Sequence, residues 1–166
     1  MHNMTLRPAF IAAAVGMLIA SANIIRARAA LPIADATANG VLRVKSLYPF
    51  DVTVTRIKAD IATKGIKFFD EIDQSRLGAG ANIPLQSSKL LLFGNPPLGV
   101  QFLTSNRMAG LDWPVRMLVA QDTDGTVWVA WTDLAFLGDR YAIHDRAAAL
   151  KMPAEVSTLI ASSVTH

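Results

Sequence analysis

The chain has 166 residues, of which 52% are hydrophobic and 17% charged, with no cysteine. That is enough apolar material for the core of one ordinary domain and too much for a disordered chain. Without a thiol, disulfide scaffolds, cysteine-bound zinc, iron–sulfur clusters and thiol nucleophiles are excluded together. The formal net charge of +3 comes from Arg7, Arg26 and Arg28, so the remainder of the chain is neutral.

Met1 to Arg7 is basic without an acid, and residues 9–25 carry no charge. This is the layout of an export signal, and the small residues of Ala27-Arg28-Ala29 place cleavage after Ala29, with Ala20-Ser21-Ala22 as the second choice. The competing reading is an uncleaved inner-membrane anchor formed by residues 9–25, at the short end of what spans a bilayer. The expected plan is a signal peptide over 1–29, a leader over 30–40 and a single domain over 41–166, exported to the periplasm or beyond. A neutral mature chain lacks the excess cations that displace counterions from phosphates, so nucleic acid is not an expected partner.

Val41 to Ser46 alternates apolar and polar residues and predicts a half-buried strand. Phe50, Val54, Ile57 and Ile61 recur at helical spacing, with Asp51 as the expected N-cap and Lys64-Gly65 as the stop. Ile66 to Asp73 predicts a second strand, and the glycine-rich run from Gln74 to Ser88 a loop with one short helical turn. Lys89 to Phe93 predicts a third strand, halted at Gly94-Asn95-Pro96-Pro97, with a helix over Val100 to Asn106. Val115 to Asp122 and Thr126 to Asp133 flank Thr123-Asp124-Gly125 and form a hairpin. Leu134 to Ile143 and Pro153 to Val164 are helical, the latter with Val156, Leu159, Ile160 and Val164 on one stripe.

The resulting β-α-β-β-(α)-β-β-α order predicts an α+β fold: one mostly antiparallel sheet of about five strands with helices on one face.

A set of short motifs runs through this plan: Phe50-Asp51 with Thr53, Lys64-Gly65, Ile72-Asp73, Phe93-Gly94-Asn95-Pro96 with Gly99, Leu111-Asp112 with Pro114, and Asp124-Gly125 before Val127-Trp128-Val129. In this order they resemble the small bacterial family known as domain of unknown function 302, over about residues 41–141. The resemblance implies a fold of the TATA-binding-protein-like type and supplies no catalytic residues. Two positions depart from the family pattern: Gln74 stands where an Asp-His pair is usual, and Leu134 replaces a usual proline.

The chemistry-bearing residues are few. Outside the signal segment the only histidines are His144 and His166, too few for a histidine metal centre, so neither metal nor cofactor is expected. Gly78-Ala79-Gly80 begins like a nucleotide-binding turn, but Ile83 stands where the third glycine belongs. Glu71 and Asp73 share one strand face about 7 Å apart between Cα atoms, a spacing from which two carboxylates can cooperate in acid–base work. Arg140 is a candidate anion clamp, and Asn95 and Asp112 stand on loops with special backbone demands.

The most informative feature is that the third, fourth and fifth strands are apolar at both side-chain parities. A sheet covered by helices on one side needs only one such face, so the second face requires another subunit, a ligand or the C-terminal helix. Two functions follow. One is a non-catalytic exported module, a homodimer binding a small apolar or amphipathic ligand or a protein partner, with Trp128 or Trp131 in the pocket and Asp73, Asn95, Asp112 and Arg140 as polar candidates. The other is a metal-independent hydrolase or isomerase using Glu71 and Asp73.

Overall fold

The computed structural model describes residues 35–144 and 147–166; the expected signal peptide, its anchor alternative and the start of the leader lie outside them. The two-residue strand β1 (Asp35–Ala36) precedes β2 (Val41–Lys45) and the first helix, α1 (Phe50–Thr63). The periodicity of α1 is the one the sequence predicts: Phe50, Val54, Ile57 and Ile61 are buried, and Thr53 with them. Thr53 is accommodated because its hydroxyl meets Ser46 Oγ at 2.7 Å and the carbonyl of Pro49 at 3.0 Å. Asp51 is not the N-cap. Pro49 holds that position and its carbonyl already accepts the amide of Thr53, which leaves Asp51 in the first turn, where a carboxylate favours the helix dipole. Gly65, at φ +64°, turns the chain out of the helix as expected.

Strand β3 (Lys67–Asp73), the short helix α2 (Gln74–Gly80) and strand β4 (Ser88–Gly94) follow. Helix α3 (Pro96–Ser105) starts four residues before the expected position. The tandem prolines end the strand and also open the helix, since a first-turn residue needs no amide hydrogen and proline's fixed φ suits it. After a 3₁₀ turn (Arg107–Leu111) come β5 (Val115–Gln121) and β6 (Val127–Thr132), joined through Gly125 at φ +85°. Helices α4 (Leu134–Arg140) and α5 (Ala147–Ser162) complete the order. The start of α5 at Ala147 places Pro153 inside the helix and not in its first turn, and the alanines before it have the highest helix propensity.

The strands form one sheet in the order β1-β2-β6-β5-β4-β3, every pairing antiparallel. It is the expected α+β layer of five principal strands, extended at one edge by β1. The principal core takes sheet residues of one parity only, among them Val44, Leu91, Phe93, Met117, Val129 and Trp131. Ile57 and Ile61 from α1, Ile160 and Ala161 from α5 and Val164 just beyond it pack onto them. A smaller cluster of Phe102, Leu134, Leu137, Tyr141 and Ile143 ties α3 to α4.

The C-terminal helix therefore covers the face already covered by α1. Its buried stripe is Ser157, Ile160 and Ala161, continued by Val164 in the turn that follows, whereas Leu159, expected inside, is 42% exposed. The opposite face keeps a continuous apolar row across four strands, Ile72 opposite Leu90, Leu90 opposite Leu118 and Leu118 opposite Ala130. Leu92, Ala120 and Trp128 lie beside it, and all seven are half-buried. The core-side contacts make Ile57 a sensitive position. Ile57→Ala is expected to cost about 2–5 kcal/mol through lost burial and the cavity left behind, read as a lowered midpoint in urea unfolding with an unchanged m-value.

Candidate functional site

A cavity of about 360 Å³ opens on the helix side of the sheet, where the ends of α1 and β4 meet α3 and α5. Its floor is made by residues the fold buries, Phe93 and Ser157, each 1% exposed, together with Gly94. Half-buried Ile66, Trp113, Val115 and Val156 form the walls, and Lys64, Asn95, Leu98 and Leu159 stand at the mouth. The volume lies at the lower end of ligand pockets, which run about 300–1,000 Å³.

Trp113 is the wall the local sequence builds for. A Cβ added at Gly94 would sit 2.3 Å from Trp113 Cη2, and one at Gly99 would sit 2.1 Å from Cε2. Neither glycine has a positive φ, so space and not backbone conformation requires them: the indole lies flat against two bare stretches of main chain. On its other side a bulge in β3 leaves Phe69 without a partner in β4, and its ring meets Trp113 edge-on at 6.4 Å. Beyond Trp113 lies a void of about 20 Å³ against Phe102, Leu137 and Tyr141, room for little more than one water.

The residues singled out in the sequence are distributed over the molecule. Asn95 reaches the cavity mouth, at the N-cap position of α3, with no capping bond from its side chain. Trp131 is 4% exposed in the principal core. Trp128 points to the other face, under the guanidinium of Arg43 at 4.3 Å, and its indole donates to Asp122 Oδ2 at 2.9 Å. Asp112 and Arg140 meet each other: Arg140 Nη1 lies 3.3 Å from Asp112 Oδ2, which also accepts from the Tyr141 hydroxyl at 2.5 Å. That bond holds the Tyr141 proton and pushes its pKa up. His144 stands exposed 3.9 Å from Asp139. Among the described residues no three of His, Asp and Glu stand close enough to share a metal ion.

Glu71 and Asp73 lie on the helix-facing side of β3, as their shared parity requires. Glu71 is held between Lys89 Nζ at 2.8 Å and Lys58 Nζ at 2.9 Å, and the hydrogen bond from Lys89, then that from Lys58, draws its pKa below the usual carboxylate value. Asp73 is the N-cap of α2. Its carboxylate accepts the Arg76 amide and the Ser75 hydroxyl, each at 2.8 Å, and the amide bond is the larger cause of its lowered pKa. A general acid at neutral pH needs a shift in the opposite direction; the contacts of both carboxylates here are with the surrounding framework.

The sequence reading places Val156 on the stripe of the C-terminal helix and singles out neither Trp113, a member of the Leu111–Pro114 loop, nor Ser157 as a site residue. The available signal was Gly94 and Gly99 flanking a Pro-Pro helix start, two glycines at positions where no left-handed turn was needed.

Two outcomes follow. Gly99→Ala is expected to displace the indole, lowering stability by about 1–3 kcal/mol and weakening the near-ultraviolet circular dichroism from Trp113. Glu71 has a folded pKa below its unfolded one, so its contribution is present above the unfolded value near 4.5 and disappears as pH falls through the folded value. Glu71→Gln is expected to destabilise the protein at pH 7 and to flatten the loss of thermal stability on acidification below pH 5.

The comparisons with known proteins add the relatives. The chain is 30% identical over 112 residues to a fluoride-specific ion channel, FluC 1, of Brucella suis biovar 1 (strain 1330), a match covering 68% of this chain and 44% of that protein. A FluC 1 of Brucella abortus biovar 1 (strain 9-941) matches equally, with 42% of its length covered. The chain thus spans less than half the length of these curated relatives. The crystal structure of an uncharacterized conserved DUF302 protein from Bacillus stearothermophilus superposes with a TM-score of 0.61 at 15% identity, covering 76% of this chain and 96% of that one, and so shares the fold. The family described as domain of unknown function DUF302 matches residues 42–160, and the chain belongs to that family.

Proposed function

We propose that the protein is an exported, non-catalytic binding module that holds a small, largely apolar molecule in the cavity between α1, β4, α3 and α5. The observation that carries this reading is the cavity itself: about 360 Å³ walled by Ile66, Phe93, Trp113, Val115 and Val156, with polar side chains few and placed at the mouth or the floor. Apolar walls with a small number of polar groups are the usual construction of a ligand site. Ion conduction is named for the FluC relatives, of which the matched segment is less than half.

The module works as a homodimer in this proposal, with the second copy seated on the open sheet face. The apolar row supports that occupant: a two-fold axis parallel to the strands brings the leucines of both rows together in the middle, with Arg43, Lys45, Lys67, Asp70 and Arg116 of the same face around them.

Native mass spectrometry of protein purified from the exported fraction tests the reading in one measurement. The expected result is a mature chain beginning at Ala30, two subunits and a retained small molecule; a full-length, ligand-free monomer overturns it. Leu118→Asp is expected to yield folded monomers, because it places a charge in the centre of the face that two copies would bury. A dimer unchanged by this variant moves the interface elsewhere.

A further inference from the structure

The end of the sheet where α2 stands exposes three large aliphatic side chains on one short loop. Leu77 of α2 is 65% exposed, Ile83 60% and Leu85 53%. They form one knob, because the loop folds back onto α2 at the buried Gly78. The Ile83 amide donates to the Gly78 carbonyl at 2.9 Å, and a Cβ at Gly78 would sit 2.8 Å from Leu85 Cγ. From Gln74 to Ser88 the only charge is Arg76. A folded loop gains nothing in water from holding three aliphatics outward, and such patches mark contact with a partner or a lipid surface.

The path of the chain favours the lipid. β1 runs antiparallel to β2, so the chain enters the sheet from the end of Lys45. The register carries that end across the strands, Lys45 opposite Trp128, Trp128 opposite Ala120 and Ala120 opposite Ser88, where the α2 loop rejoins β4. Residues 26–34 separate the uncharged segment 9–25 from β1, a stretch of nine residues that reaches at most about 30 Å. An export segment seated in a bilayer therefore keeps this end of the domain next to the surface. We propose that the knob of Leu77, Ile83 and Leu85 inserts into the lipid surface during export and holds the domain there afterwards. This takes from the reading above the export of the chain and not the ligand, since the cavity opens at the opposite end of the strands, at Gly94 and Val115. The charges near the knob's end are of both signs, Lys45, Arg76 and Lys89 with Asp51, Asp73, Asp122 and Asp124. They leave no surplus of cations to seek anionic lipid, so the contact is apolar.

The chain has no cysteine, so Leu77→Cys, Ile83→Cys and, at the cavity end, Leu111→Cys each give one site for a nitrobenzoxadiazole label. Labelled protein from the exported fraction is mixed with phosphatidylcholine vesicles, with and without phosphatidylglycerol. The labels at 77 and 83 are expected to brighten and shift to the blue with both kinds of vesicle, and the label at 111 to stay unchanged. Adding Leu85→Asp to the Leu77→Cys protein is expected to raise the lipid concentration for half the signal about tenfold. An unchanged signal at 77 and 83, an equal change at 111 or a response that needs phosphatidylglycerol overturns the inference. So does a blue shift on concentrating the protein without lipid, which assigns the knob to a second copy. Cleavage is read separately from the N-terminal residue by mass spectrometry: a chain that keeps residues 1–29 overturns processing without altering what the labels report on the loop.

Discussion

The structure depends on the one-sided covering of an antiparallel sheet. Helices α1 and α5 both bury their apolar stripes against the parity that carries Leu91, Met117, Val129 and Trp131. Each strand then has an inner and an outer set of side chains, and a slip of one residue would exchange them. The register is held by Val44 opposite Val129 and Met117 opposite Trp131, pairs in which both members are buried. The small second cluster, the cavity and the open face are consequences of where that covering ends.

The cavity lies at such an ending. Past the last turn of α1 the helix no longer shields β4, and α5 approaches from the other side without closing the gap. Trp113 fills part of the opening because Gly94 and Gly99 allow its ring onto the backbone. Larger residues there would displace the wall. Packing at ordinary density stops there, at a solvent-open cavity of about 360 Å³.

The charged residues serve mostly to fasten the framework. Glu71 joins α1 to β4 through Lys58 and Lys89, Asp73 starts α2, and Asp112 gathers Arg140 and Tyr141 at the end of α4. The hydrogen bonds to Glu71 and Asp73 lower their pKa values, and all three carboxylates tie neighbouring elements together. Trp128 is fastened likewise, between Arg43 and Asp122, beside an apolar row that is otherwise aliphatic. Its polar edge is satisfied locally, and the half-buried leucines make up the apolar centre of that face.

Much of the fold was legible in the chain because it is set by local periodicity. The period of 3.6 in Phe50, Val54, Ile57 and Ile61 defined α1, and Gly65 and Gly125 marked a helix end and a hairpin by the backbone angles they alone adopt easily. The double apolar parity of β4, β5 and β6 announced a second face before any coordinates did. What the chain could not announce was which residues meet. Asn95 was legible as a loop residue of interest, but its companions Trp113 and Ser157 lie 18 and 62 positions further on, and nothing local in a helix stripe shows that Ser157 faces in while Leu159 faces out. Trp128 and Trp131 look equivalent by composition, yet one residue of parity sends the first to the open face and the second to the core. Periodicity decides how each segment buries itself; only the packing of segments far apart in sequence decides where the burial is left incomplete, and that is where the candidate site arises.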